Sequence, residues 1–148
     1  MVVLQPSKLT AWVRIPVGAY VRFYVAGKLE KKDLILEVHK KLRAKGHDVS
    51  YDWTAHKPIK PYHENKDLAK IYSANELQGI ASADVVIFLT EDKGHTLHME
   101  GGAALMSKKL TGMPKRVIFI GEHNATSPWH FNEHAERYGT VDEVLNLF

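Results

Sequence analysis

The stretch DKGHTLHMEGGAALMSKK, residues 92–109, holds the side chains best suited to chemistry. In it, Glu100 stands between a segment containing His95 and His98 and a run of glycine and alanine typical of the start of a buried helix. A carboxylate in a first helical turn is favoured by free N–H groups and by the positive end of the helix dipole. Glu100 therefore has an ordinary structural explanation. The alternative is that the helix end holds an ionised carboxylate, aimed into a pocket and ready to act as a nucleophile.

Composition limits the classes of protein that need to be considered. The chain has 148 residues, of which 45% are hydrophobic and 25% charged, as expected for one compact domain with its own core. The formal charge of +3 is small and the lysines are scattered, so we expect no nucleic-acid surface; a small anionic or nucleotide ligand fits the charge equally well. The chain has no cysteine, which excludes disulfides, thiolate metal sites and cysteine nucleophiles.

The location of the protein is also predicted from these counts. The absence of cysteine suits a reducing compartment, and we expect a cytoplasmic protein. No apolar run is long enough to cross a bilayer, so no membrane association is expected. Residues 1–19 carry basic and no acidic side chains, as a targeting peptide does, but they are poor in arginine and serine. We therefore predict an N-terminal extension, 1–19, packed on a domain formed by 20–148.

Short apolar runs alternate with helical patterns along the chain, which predicts a parallel sheet covered by helices. In the first helix, Leu34, Val38 and Leu42 are four residues apart and define its inner face. The fold class is therefore α/β, a flavodoxin-like three-layer sandwich with a five-stranded parallel sheet. The predicted strands are 20–27, 47–54, 84–90, 115–122 and 136–139, and the predicted helices are 31–46, 67–82, the one that begins near Glu100, and 140–148.

Ligands of such sheets bind beyond the carboxyl ends of the strands, which selects candidate residues without any motif. Gly27 would let a ligand approach the backbone, or would simply form a tight turn. Asp52 and Trp53 lie at the end of the second strand, and the indole would stack on a base or close the core. His98 would contact the sugar or phosphate of a ligand, or cap the helix.

Glu76 is an acid in an amphipathic helix. Leu68, Tyr72, Glu76 and Ile80 recur every four residues, so the carboxylate lies on or beside the stripe that faces the sheet. Charged groups are seldom buried without a partner. Glu76 is therefore either a site residue or a helix-edge side chain that reaches solvent.

Three segments together resemble the nucleoside 2-deoxyribosyltransferase superfamily, which includes the 2'-deoxynucleoside 5'-phosphate N-hydrolases. They are FYVAGKLEKKDLILEVHKKLRAKGHDVSYDWT, ANELQGIASADVVIFLTEDKGHTLHMEGGAALMSKK and KRVIFIGE, and the similarity covers about residues 20–122. The resemblance implies that Glu100 is the nucleophile. It makes Tyr24, in the Y-x-x-G turn that ends at Gly27, the residue that hydrogen-bonds the nucleophile. The acid that helps to protonate the departing base falls on Glu76, and His98 is a second candidate for supplying that proton.

The chain also departs from the family pattern. The family has aspartate where Glu76 stands, and many members have an aspartate six residues before the nucleophile, where this chain has Gly94. Asp92 is the nearest acid to that position. Lys28 and Gly94 replace serines that bind the 5'-phosphate; Lys28 would meet a phosphate as a point charge, or be a solvated lysine.

The function implied by the resemblance is cleavage or transfer of the 2-deoxyribosyl group of nucleosides or nucleotides, as in nucleotide salvage. An ionised Glu100 would trap an oxocarbenium-like sugar, and water or a second base would release it, with no cofactor. The helix N-terminus is expected to lower the pKa of Glu100. The resemblance also implies a homodimer or a higher homo-oligomer.

Other functions are compatible with the same residues. A non-catalytic nucleotide-binding or sensing module on this fold is one alternative, and an NAD glycohydrolase is another. Histidine pairs at 95 and 98, or at 130 and 134, would offer metal ligands, although no H-E-x-x-H motif is present and we predict no metal site.

Overall fold

The computed structural model describes residues 15–148, which form an α/β sandwich around one parallel sheet. The strands are β1 (Arg22–Ala26), β2 (Asp48–Val49), β3 (Val85–Leu89), β4 (Arg116–Ile120) and β5 (Ala135–Tyr138). All neighbouring strands pair in parallel, in the order β2-β1-β3-β4-β5. This confirms the predicted fold class and the number of strands.

Helices cover both faces of the sheet. They are α1 (Lys32–Ala44), α2 (Lys66–Ser82), α3 (His95–Thr111) and α4 (Val141–Leu145). Side chains alternate along β1: Phe23 packs against the Phe148 ring, whereas Tyr24 points to the other face, beneath α2 and α3. The first face is covered by α1 and α4, and Lys45, the residue after α1, donates a hydrogen bond from Nζ to the Leu145 carbonyl.

The central strands supply most of the core. Every residue of β3 is buried, as expected for a parallel strand that is covered on both faces. The predicted face of α1 is partly wrong, because Leu34 is 43% exposed while Ile35 is buried together with Val38 and Leu42. The inward stripe therefore follows a spacing of three and four residues, through Ile35, Val38, His39 and Leu42, rather than a spacing of four alone.

Two elements are shorter than predicted. β2 is only two residues long, and the chain turns at Asp52 into a 3-10 turn, Trp53–Ala55, in which the Asp52 side chain accepts from the Thr54 backbone N–H. α4 is shorter than the predicted 140–148, and Thr140 caps it by accepting from the Glu143 backbone N–H at 3.2 Å. The Glu143 side chain in turn accepts from the Gly139 N–H.

Most of the predicted N-terminal extension, 1–19, lies outside the described residues. Within residues 15–148, no helix combines the length and apolar character that a bilayer span requires.

Candidate active site

The site is centred on a contact between Tyr24 in β1 and Glu100 in α3. The Tyr24 hydroxyl donates a hydrogen bond to Glu100 Oε1 over 2.6 Å, and the tyrosine side chain is completely buried. This length is typical of a hydroxyl that donates to an ionised oxygen. Burial, followed by the charge of Glu100, raises the pKa of Tyr24 far above its ordinary value, so the phenol remains a donor. The contact expected from the resemblance is thus confirmed.

Glu100 lies deeper in its helix than the sequence indicated. α3 begins at His95, so Glu100 is the sixth residue of the helix rather than a residue of its first turn. The influence of the helix dipole falls off within the first turn. Burial instead raises the pKa of Glu100 to about 7, with a further upward contribution from Glu76, while the hydrogen bond from Tyr24 opposes the rise. The expected lowering of this pKa is therefore wrong.

Glu76 reaches the same site because α2 approaches the sheet at a glycine. A Cβ atom added to Gly79 would lie 2.7 Å from Tyr51 Cβ and 2.9 Å from Tyr24 Cδ2, so no larger residue fits there. One turn earlier in α2, Glu76 lies close enough for its charge to raise the pKa values of both Tyr24 and Glu100. The helix thus brings a second carboxyl group beside the first.

The Glu76 side chain is 19% exposed, so the solvent-facing alternative does not describe it. Burial raises the pKa of Glu76, which favours the protonated carboxyl group. Its neighbour is His56, whose Nδ1 lies 3.6 Å from Glu76 Oε1. His56 was not predicted from the sequence. It follows the short 3-10 turn in a proline-containing loop, and its position after the end of a strand is its one signal in the sequence.

Three predicted binding residues have structural roles in the fold. Trp53 is 7% exposed and its indole N–H donates to the Val25 carbonyl at 2.8 Å, so it closes the core and offers little ring surface for stacking on a base. A Cβ atom at Gly27 would lie 2.8 Å from Ile35 Cδ1, so this glycine makes room for α1 rather than for a ligand. Asp52 accepts hydrogen bonds from the backbone and hydroxyl of Thr54.

Lys28 and Gly94 meet at the strand ends. A Cβ atom at Gly94 would lie 3.2 Å from Lys28 Cε, and the glycine has φ +147°, a conformation that side chains rarely allow. Gly94 immediately precedes α3. The structure therefore brings together two of the predicted binding residues.

A cavity of about 1000 Å³ opens on another side of α3, between this helix and the segment 126–134. Asp92, His98, Trp129 and His130 line the cavity, whereas Tyr24, Glu76 and Glu100 do not. His98 and Glu100 are two residues apart on a helix, so they point in different directions. Asp92 and His98 are thus separated from the two carboxyl groups by the helix itself.

Neither histidine pair forms a metal centre in the part of the chain that the structure describes. Residues 15–148 contain no group of three or more histidine, aspartate or glutamate side chains placed to hold a metal ion. His130 and His134 do not share a helix face, because the 3-10 turn ends at Phe131.

The arrangement resembles a solved structure in its fold. The structure of the CMP N-glycosidase BcmB from Clostridium botulinum superposes with a TM-score of 0.52 over 85% of this chain and 94% of that chain, at 17% sequence identity. At this identity the likeness shows a shared three-layer α/β fold. No family model matches the sequence, and no curated protein matches it significantly.

Proposed function

We propose that this protein cleaves the N-glycosidic bond of a nucleoside or nucleotide, with Glu100 as the nucleophile that attacks C1' of the sugar. The hydrogen bond of 2.6 Å between Tyr24 and Glu100, beside a second carboxyl group, carries this proposal. The sequence resemblance to the 2-deoxyribosyltransferase superfamily supports it, and so does a fold shared with an N-glycosidase. We propose a 2-deoxyribosyl group as the sugar.

The two carboxyl groups fit the two roles that the reaction requires. The departing base takes the electron pair of the C1'–N bond and needs a proton, while C1' needs an electron pair from a carboxylate. Burial raises the pKa values of both groups, that of Glu100 to about 7, and Tyr24 opposes the rise at Glu100 by donating to it. In this proposal the reactive pair carries one proton: the proton lies on Glu76, which has no donor at hydrogen-bond distance within residues 15–148, and the carboxylate is that of Glu100.

Release of the sugar from Glu100 completes the reaction. Water would give hydrolysis, and a second base would give transfer to a new nucleoside. Gly94, directly before α3, and Lys28, whose side chain packs against it, would face a 5'-substituent of the sugar in this proposal. Asp92 and His98 would contact a substrate only if it extended around the helix into the cavity. A homodimer or a higher homo-oligomer is part of the proposal.

The experiment incubates the protein with deoxynucleosides, their monophosphates, the matching ribonucleosides and NAD, with and without a second free base, and separates the products by chromatography. We expect release of free base from at least one deoxynucleoside or deoxynucleotide. Absence of free base from the whole panel would reject the proposal. Cleavage of NAD alone would indicate the glycohydrolase, and thermal stabilisation by a nucleotide without any product would indicate the binding module.

A further inference from the structure

His56 occupies a defined place behind Glu76. Its side chain is 14% exposed, and its ring stacks on Tyr72 with 3.7 Å between the ring centroids and 7° between the planes. The His56 backbone N–H is bonded to the Trp53 carbonyl, which ties the residue to the 3-10 turn. The ring can therefore neither tilt nor slide far without losing the stack. Its two nitrogen atoms face two different polar groups.

The hydrogen bonds around the ring determine which nitrogen carries the proton. Asn75 Nδ2 donates to the Tyr51 hydroxyl oxygen over 3.4 Å, and this oxygen lies 2.6 Å from His56 Nε2. Asn75 is a donor to this oxygen, and among the described residues His56 Nε2 is the one group placed to accept the Tyr51 proton, so that proton is directed to Nε2. In the neutral ring the remaining proton is then on Nδ1, and we assign this tautomer from the order of donors and acceptors.

The Nδ1–H group faces Glu76 Oε1 at 3.6 Å. This distance exceeds that of a direct hydrogen bond by a few tenths of an ångström, so a small side-chain movement closes it. A donor at Oε1 leaves only Oε2 to carry the acidic proton of the carboxyl group. The ring thereby determines which oxygen of Glu76 is the proton donor.

Resting on the proposed function, we propose that His56 is a positioning residue for departure of the base: its Nδ1–H bonds Glu76 Oε1 and holds the acidic proton of Glu76 on Oε2. In the reaction, Glu100 forms a bond to C1' while the C1'–N bond breaks and its electron pair moves to the base nitrogen. The proton passes from Glu76 Oε2 to the base. Glu76 becomes a carboxylate, and the bond from Nδ1–H then stabilises its negative charge.

The charges around His56 favour this neutral form. Burial lowers the pKa of His56, and the carboxylate of Asp52 opposes the change only in part. The other titratable groups facing the ring are Tyr51, Tyr72 and Glu76. A neutral imidazole beside a protonated carboxyl group buries no charge, whereas an ion pair between the same two groups would bury two charges.

The test compares His56→Phe, His56→Asn and the control His63→Phe, which alters a histidine with a side chain that is 75% exposed. Phenylalanine keeps a ring to stack on Tyr72 but removes the donor, whereas the amide of asparagine places an N–H group near the position of Nδ1. For His56→Phe we expect kcat to fall about tenfold with KM unchanged. The alkaline limb of its pH profile should move to higher pH, because the Glu76 carboxylate has lost its donor.

The asparagine variant should recover most of the lost kcat, and the control should match the wild type. A wild-type kcat and pH profile in His56→Phe would overturn the proposal, and so would an asparagine variant as slow as the phenylalanine variant.

A second measurement does not depend on catalysis or on the folding of a His56 variant. Imidazole nitrogen NMR should show the Nδ1–H tautomer at neutral pH, and the titration of His56 should shift by about half a pH unit or more in Glu76→Gln. An unchanged titration would overturn the role of His56 even in an active enzyme. A shifted titration with no release of base by the wild type would instead refute the proposed function, and the catalytic assignment of His56 with it.

Discussion

Two sides of α3 differ in almost every property that matters for chemistry. Towards α2, Glu100 and Glu76 lie in a tightly packed cluster where each carboxyl group has a defined neighbour and a raised pKa. Towards segment 126–134, the helix borders an open cavity, and Met99, Met106 and Trp129 expose more than half of their surface. We refer to these regions as the carboxyl cluster and the wide cavity.

The contrast shows that cavity size and reactivity need not coincide. The wide cavity has the volume of a ligand site, but its side chains include no pair of groups with shifted pKa values and a short bond between them. The carboxyl cluster holds a phenol that donates to Glu100 and two carboxyl groups with raised pKa values. Carboxyl groups with perturbed pKa values are the better indicator of catalysis.

The largest effect is expected from removing the charge at Glu100. In Glu100→Gln, release of base should fall by about 10³-fold or more, because the nucleophile is lost while the shape of the side chain is retained. The measurement is single-turnover release of base at saturating substrate. Glu91→Gln is a matched control, because this glutamate lines the wide cavity instead. Comparable losses in both variants would remove the distinction between the two regions.

The second effect concerns Tyr24. Tyr24→Phe removes one hydroxyl and leaves Glu100 buried without its donor, and a hydrogen bond to a charged group contributes about 1.5–3 kcal/mol. We expect a loss of kcat of about 10- to 100-fold and a rise in the pKa of Glu100 above its value of about 7. Tyr62→Phe is the control, since that ring is exposed. An unaltered acidic limb in Tyr24→Phe would show that the phenol does not act on Glu100.

The pH profile should report both carboxyl groups. The active pair carries one proton, so activity should rise as the pair loses its first proton and fall at higher pH as it loses its second; the pKa of Glu100 is raised to about 7 and that of Glu76 is also raised. The two groups lie close together, so the limbs belong to the pair rather than to either residue alone. Glu76→Gln should be slower and should lack the alkaline limb. A Glu76→Gln profile that retains this limb would assign it to another group.

A stability effect tests how α2 is held against the sheet. Gly79→Ala should destabilise the fold by about 1–3 kcal/mol, because the new methyl group would meet Tyr51 Cβ and the Tyr24 ring. Gln78→Ala, at an exposed position of the same helix, should change the free energy of unfolding by less than about 0.5 kcal/mol. Urea denaturation measures both variants. Equal stability of the two variants would mean that the close approach at Gly79 is not required.

The smallest effect is expected in the wide cavity. The Trp129 side chain is 58% exposed, so Trp129→Ala should change kcat and KM by less than about threefold and leave stability nearly unchanged. Steady-state kinetics of base release provides the test. A tenfold rise in KM would show instead that the substrate extends around α3 into this cavity, where Asp92 and His98 lie.

The fold and the contact between Tyr24 and Glu100 were predicted because both depend on patterns within short segments of the sequence. Buried strands such as β3 are continuous apolar runs, and Tyr24 and Glu100 lie in short segments with a recognisable order. The start of α3 was not predicted, because the helix begins at His95, directly after Gly94, with polar residues that resemble a loop. The error in the pKa of Glu100 followed directly from that misplaced start.

The remaining features depend on contacts between distant segments. No feature of the neighbouring sequence indicates that Gly79 lets α2 pack closely against Tyr24. A glycine is, however, unfavourable in a helix interior, so its presence there suggests a packing requirement. His56 belongs to a segment with two prolines and no periodicity, so only its contact with Glu76 makes it a candidate. The sequence left Trp53 with two possible roles, stacking on a base or closing the core. The hydrogen bond from its indole N–H to the Val25 carbonyl supports the second role.

The most direct test of the central claim is to trap the sugar on the protein. A nucleoside or nucleotide with fluorine at C2' of the sugar slows release of a glycosyl ester, so the ester accumulates when a carboxylate is the nucleophile. Intact-protein mass spectrometry should show one added sugar, and peptide mapping should locate it on Glu100, with no adduct in Glu100→Gln. An adduct on another side chain, or undiminished release of base by Glu100→Gln, would contradict the account.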